Sequence, residues 1–372
     1  MYSDSIFIKY LLFFYKNQCN LLLSRISMTS IDIFKEEHPS IDSYWRALIL
    51  FGRNTAAYKF ALSKSLLELA QKQNSSVLLS DLAKSFSYQI CEHLKLAEKQ
   101  TTSKDGAFLN ACKNFNSGLI TQEQLIDYTL KYGFKYVLDA FHVVNNENIP
   151  LNFYEKDFKQ TSKKLILTDN LFNLTDNAFA SNFTDEIEAR WRLVETAWEL
   201  GISRNLLNVK YDNNGKELYV TDTYLRRKDI TSARSALNGY QKGKCFYCFK
   251  DISITNPLLT CCDVDHFFPH TLKQTLPTVN LDGIWNLVLS CEDCNRGLAG
   301  KFSKVPAIKY LKRLHKRNEF LIGSHHPLRE TLISQTGKTI QERVIFLKKI
   351  DKIAINTLIH RWETKAEAEE IF

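Results

Sequence analysis

Two Cys-x-x-Cys pairs, Cys245/Cys248 and Cys291/Cys294, constrain this chain more than any other feature. Each pair puts two thiolates on one tight turn, where both can reach the same tetrahedral ion. Together they supply four sulfur ligands and close a structural zinc site with no open position. Residues 249–290 lie between the pairs, a longer interval than compact four-cysteine modules use, so further structure must fold inside the clamp. Taken alone, the cysteines equally fit a zinc module that does no chemistry.

The enclosed segment has its own pattern. Cys262-Asp-Val-Asp-His-Phe-Phe-Pro269 alternates and is rich in aromatic and β-branched residues, which predicts a strand ending at Pro269. Residues 270–285 contain Pro277 and the Asp282-Gly283 turn signal and read as a loop, His270 included. Asn286-Leu-Val-Leu-Ser290 is a short apolar run suited to a second strand, and from Cys291 a helix begins that carries Asn295 and Arg296. The predicted order is strand, loop, strand, helix. Cys261 and Cys262 read as small buried thiols, with a place among the zinc ligands as the alternative. His325 and His326, before Pro327, read as a loop and helix start.

The run VDHFFPH followed by WNLVLSCEDCNRG resembles the HNH, or ββα-metal, endonuclease motif in its zinc-clamped form. The resemblance covers roughly residues 240–305, under a fifth of the chain, and includes the Asp-His dipeptide, a central Asn, a final Asn and both cysteine pairs in the family's order. It implies that His266 is the general base that takes a proton from the attacking water, and an ordinary imidazole pKa near ~6.5 suits that task. Asp265, on the opposite face of the strand, and Asn295, on the helix, are implied as ligands of a catalytic divalent ion. Two oxygen ligands suit Mg²⁺ or Mn²⁺ better than Zn²⁺. Asn286 is implied to fix the loop and the orientation of the base. Relatives leave a 5′-phosphate and a 3′-hydroxyl. Many have His where this chain has Asn295, and some have a further His where it has Ala299, so a sparse, weak metal site is expected. An isolated Asp-His pair is ordinarily a turn or strand end, and a lone Asn a cap; the conjunction carries the resemblance.

Charge is distributed unevenly. The chain has a formal net charge of +8, but residues 301–361 hold 14 Lys or Arg against 4 Asp or Glu, so the remainder is slightly acidic. Lys309, Lys312, Arg313, Lys316 and Arg317 fall at helical spacing after Pro306, which suits a first-turn position. With Lys301 and Arg296 they form a candidate phosphate-binding face; the competing reading is a solvated helix packed by Ile308, Tyr310, Leu311 and Leu314. Arg226, Arg227 and Lys228, with Arg234, form a second basic cluster before the clamp.

Nine cysteines, four of them in tight pairs, argue for metal binding in a reducing compartment, and so for a cytoplasmic protein. Lys9 and Lys16 interrupt the apolar run Ile6–Leu23, which reads neither as a signal peptide nor as a membrane span. Met28, before a Thr-Ser capping pair, is the expected start, with residues 1–27 an upstream extension.

Residues 28–150 read as a helical domain with amphipathic runs Tyr44–Phe51, Ala56–Leu69 and Leu82–Leu96, and Thr121-x-x-Gln124 is a capping box. Residues 151–225 read as a mixed connector. Within it Lys164–Thr168 and Leu171–Leu174 suggest a hairpin around Asp169-Asn170. Leu206–Tyr211 and Glu217–Thr221 suggest another around Asp212-Asn-Asn-Gly215. Trp191, Val194 and Trp198, after a Thr184 cap, form an aromatic stripe that reads as core rather than a base-stacking platform. The nuclease-like unit then spans 226–305 and a basic helical extension 306–372, in which Thr339-x-x-Glu342 opens a long helix to about Arg361. The expected class is α+β, mainly α.

The sequence therefore points to a metal-dependent endonuclease acting on DNA, with RNA not excluded, and bacterial defence as a setting by analogy with related proteins. The N-terminal helical region is expected to recognise substrate or a protein partner. The rival readings are a catalytically silent zinc module that binds nucleic acid, and an effector subunit inactive until a partner engages it.

Overall fold

The computed structural model describes residues 40–51, 56–144, 146–159, 162–176, 180–200, 208–221, 227–254, 262–323, 326–365 and 371–372. The 1–27 extension and the proposed start at Met28 lie outside the described residues, as do Arg226, Cys261 and His325. The chain is α+β and mainly α. No helix among the described residues is long and apolar enough to cross a membrane.

Two hydrophobic cores organise it. In the first, the helices Ile41–Phe51, Tyr58–Ala70 and Leu79–Leu96 form where the sequence periodicity places them. Leu82, Phe86 and Ile90, each one turn apart, bury one face of the third helix beside Phe60 and Leu66 of the second. Thr121 and Gln124 make the reciprocal capping box of the helix Gln122–Tyr128. Trp191, Val194 and Trp198 lie on the helix Ser181–Glu199 and point into this core, as core residues should. That helix starts at Ser181, three positions before the expected Thr184 cap.

The 164–174 hairpin does not form. Lys164–Leu167 is a strand, but it pairs with Ser76–Leu78 on one side and Tyr154–Asp157 on the other, while Asp169–Thr175 is a helix. Asp169-Asn170 thus begins a helix instead of turning a hairpin. Residues 154–198 pack largely into the first core. The second hairpin does form, with Tyr211 opposite Leu218. Its loop spans residues 213–216, and Lys216, not Asn214 or Gly215, takes the left-handed conformation, at φ 58°. The side chain of Asp212 accepts from the amides of Asn214 and Gly215 and shapes the turn.

The helix Ser181–Glu199 also feeds the second core through Leu193 and Ala197. A buried polar chain ties the halves together. Arg46 Nε donates to Glu186 at 2.8 Å, and Asn238, on the helix Ala233–Gln241, donates to the same carboxylate at 2.8 Å. One turn on, Gln241 donates to Leu289 O and accepts from Leu289 N, both at 2.8 Å, gripping the edge of a strand in the candidate site. Thr339 caps the helix Ile340–Leu358 as expected. The helix ends three residues early, because Arg361–Trp362 pairs in parallel with Val305–Pro306. Pro306 is therefore in a strand, and the basic helix begins at Ile308.

Candidate functional site

The two cysteine pairs meet. Cys245 and Cys248 lie on a turn in which Phe249 N–H returns to Cys245 O and Phe249 takes φ 58°. Cys291 ends a strand and Cys294 lies on the helix that follows. All four sulfurs are buried within 4.8 Å of one another, and Cys248 and Cys291 are 3.7 Å apart. A tetrahedron with ~2.3 Å zinc–sulfur bonds has an edge of about 3.8 Å. The donor set and spacing therefore fit zinc. Cys262 is buried opposite Cys291 in the strand register and is not one of the four.

The segment between the pairs folds as strand Cys262–His266, loop, strand Leu287–Cys291 and helix Glu292–Arg296. The strands are antiparallel, with His266 opposite Leu287 and Asp265 opposite Val288. Period-two alternation sends Asp263 and Asp265 to one face and His266 to the other. The contacts agree. Asp265 accepts from Tyr247 Oη at 2.7 Å and lies 3.1 Å from Lys301 Nζ, while His266 Nε2 is 3.1 Å from Asp282 Oδ1. Burial pushes the Asp265 carboxyl up, against the pull of Lys301 and the Tyr247 hydrogen bond. Asn295 donates to Asp263 Oδ2 at 3.0 Å.

Two carboxylates and an amide are the oxygen donors a hard cation takes. As they stand, both Asp265 oxygens are engaged, and the Lys301 ammonium already supplies positive charge there. Lys301 comes to this place because the turn after the helix folds back, with its own N–H on Cys294 O and Phe302 N–H on Asn295 O. It is only 1% exposed and also donates to His266 O at 3.0 Å, so the expectation that it contacts phosphate is corrected.

His266 is buried. Its pKa is pushed down to about 3 by burial and by His270, with Asp282 opposing. The ordinary value expected from sequence is thus not kept, and the ring is neutral at neutral pH. His270 is not a bystander: its ring centroid lies 3.7 Å from that of His266, and its Nδ1 is 3.4 Å from Asp282 Oδ1. Asn286 is fully buried and accepts from Phe268 N–H at 2.8 Å. It donates to Phe268 O at 3.0 Å and to Leu281 O at 2.8 Å. One side chain therefore pins both ends of the loop, beside His266 at one end and Asp282 at the other.

The basic helix divides. Lys309, Lys312 and Lys316 are exposed, and Lys309 pairs with Glu363. Arg313 and Arg317 are buried, which corrects their assignment as phosphate contacts. Arg313 donates to Phe246 O and Tyr247 O and sits 4.2 Å over the Phe249 ring, bracing the first cysteine turn. Arg317 donates to Leu287 O at 2.8 Å, Trp285 O at 3.1 Å and Ile284 O at 3.3 Å, bracing the turn that holds Asn286. Arg296 is exposed and 3.2 Å from Asp263. Arg227 pairs with Asp212 and Asp229.

Sequence reasoning passed over Asp263, Tyr247, His270 and Asp282. The alternation that separates Asp265 from His266 also puts Asp263 beside Asp265, so that residue was accessible to it. His270 and Asp282 meet only through the loop's path. No family model matches the chain, and neither a curated protein nor a solved structure matches it.

Proposed function

We propose that the chain is a metal-dependent endonuclease of the HNH, ββα-metal type that hydrolyses phosphodiester bonds in DNA. One observation carries the reading: a strand pair and short helix, with four cysteines gathered beside them, set the Asp263 and Asp265 carboxylates, with the Asn295 amide against Asp263, on one face of a strand and the His266–Asp282 pair on the other.

His266 acts as the base. With Nε2–H directed at Asp282, the neutral ring carries its lone pair on Nδ1, where it accepts the proton of a water attacking phosphorus. Asp282 holds that tautomer and stabilises the imidazolium that forms. Its own carboxyl is kept below its ordinary range: burial opposes this, and the Lys273 hydrogen bond and charge overcome the opposition. Asn286 keeps the base and its carboxylate in register by clamping the loop between them. Asp263, Asp265 and Asn295 would hold Mg²⁺ or Mn²⁺, with Lys301 giving way at Asp265. When bound, such an ion polarises the scissile phosphate and offsets charge on the leaving oxygen. Lys309, Lys312 and Lys316 offer charge to the phosphate backbone.

The buried His266 and the Lys301–Asp265 pair favour a second version, in which the site opens only when a partner or substrate engages the protein. Plasmid cleavage with Mg²⁺ or Mn²⁺ tests the activity. Cutting that stops with EDTA and falls by about 10²–10⁴-fold in His266→Ala supports it. A zinc-loaded chain that leaves the plasmid intact, alone and with proteins encoded beside it, points instead to a silent nucleic-acid-binding module.

A further inference from the structure

The contact of His270 with Asp282 accounts for only one of its two ring nitrogens. Its Nε2 is buried with no hydrogen-bond partner among the described residues. Its ring is tilted 53° to that of His266, so the 3.7 Å centroid approach is not a stack. Two imidazoles are thus crowded on one carboxylate without stacking on each other. Their shared partner is a single oxygen, Asp282 Oδ1, at 3.1 Å from His266 Nε2 and 3.4 Å from His270 Nδ1. Metal bonds of ~2.0–2.1 Å give a tetrahedral edge of about 3.4 Å, so these two separations fit ligand atoms around one ion, and candidate ligand atoms of all three residues lie within 4.8 Å of one another. The other carboxylate oxygen, Oδ2, is held at 2.8 Å by Lys273, which fixes the carboxylate as an outer hydrogen-bond partner does in metal sites. His270 and Asp282 are both partly exposed, which leaves a route of entry from solvent.

We propose that His266, His270 and Asp282 form a second metal site, separate from the four-cysteine site, that takes one transition-metal ion of the Zn²⁺, Co²⁺ or Ni²⁺ class. Two imidazoles and one carboxylate favour such an ion over Mg²⁺, and three protein ligands leave a position open to water or an anion. The binding itself does not depend on the nuclease reading. Its consequence rests on that reading: an ion on His266 Nε2 leaves Nδ1 carrying the proton, and the ring can then no longer act as base. Zinc in this site would be an inhibitor, set apart from zinc in the cysteine clamp.

The test is metal content of the full chain after equilibration with buffered Zn²⁺ and removal of loose ion, read by mass spectrometry. The wild type should hold two zinc ions per chain, one for each group of ligands. His270→Ala and His270→Gln, which lose no hydrogen bond at Nε2, should each hold one, and the retained ion reports an intact clamp. Asp282→Asn should also hold one. A wild type that holds a single ion, His270 variants that still hold two, or variants that lose both ions would each overturn the proposal. Where cleavage is measurable, added Zn²⁺ should suppress it in the wild type and not through this site in His270→Ala. An inactive protein that still binds two ions would separate failure of the nuclease reading from failure of this one.

Discussion

Replacing Asn286 by Ala should cost the second core a large part of its stability. The side chain is fully buried and makes three hydrogen bonds, accepting from Phe268 N–H and donating to Phe268 O and Leu281 O. Alanine leaves one amide and two carbonyls inside the protein with no replacement partner in the loop. At about 1–3 kcal/mol for each buried group left unmade, and with carbonyls at the lower end, the loss is about 3–6 kcal/mol. A domain of ordinary stability has only about 5–15 kcal/mol in total, so the variant should be marginal. Asn286→Asp discriminates further. It keeps an acceptor for Phe268 N–H but turns charge toward two carbonyl oxygens, so it should be at least as damaging at neutral pH. It should recover in part as acid protonates the new carboxyl. Urea unfolding with zinc present measures the difference, and exchange of the Phe268 amide locates it. An Asn286→Ala protein within about 1 kcal/mol of wild type, with that amide still protected, would refute the claim that this side chain holds the loop.

Three further outcomes follow from the same interactions. Cys291→Ser, or chelation, should release the clamp; structural zinc contributes about 10–16 kcal/mol in small zinc-dependent peptides, so amide protection over Leu287–Cys291 should vanish while the first core keeps its own. His142 Nε2 accepts from Phe153 N–H at 3.0 Å, and burial, with the charges of Lys59 and Lys156, pushes its pKa down to about 4. The unfolded chain takes the proton first, so this contribution is complete above about pH 6.5 and disappears on acidification toward pH 4. The total is about 3 kcal/mol, and a flat urea midpoint over that window would contradict it. Lys312→Glu with Lys316→Glu should weaken DNA binding and flatten its salt dependence by about 0.9 in the log–log slope for each phosphate no longer neutralised, whereas Arg317→Leu should act on folding instead.

What the sequence disclosed is what short-range spacing can encode. The cysteine pairs, the alternating strand, the apolar second strand and both capping boxes depend on residues a few positions apart, and each is present, although the first strand ends at His266 instead of Pro269 and the second begins at Leu287, after a turn that holds Asn286. The Asp169-Asn170 hairpin failed because the strand Lys164–Leu167 pairs instead with Tyr154–Asp157, a few residues before it, and with Ser76–Leu78, far away in sequence. The basic helix shows the same limit. Spacing put Arg313 and Arg317 beside the lysines, but only the packing against the cysteine turn and the Asn286 turn decides that the arginines face inward, where a guanidinium can serve several carbonyls at once. Asp282 and His270 could not have been singled out, since the loop path that joins them to His266 is set by a buried asparagine and not by any local signal.

If the chain is the proposed nuclease, His266 and its neighbours cut DNA. The most direct measurement is single-turnover cleavage of an end-labelled duplex by chain of known zinc content, in Mg²⁺ and in Mn²⁺, with the product ends mapped. The wild type should leave 5′-phosphate ends, and a His266→Ala protein that retains its clamp zinc should cut about 10²–10⁴-fold more slowly. A zinc-loaded wild type with no cleavage in either metal, or a His266→Ala protein that cuts as fast as wild type, would contradict it.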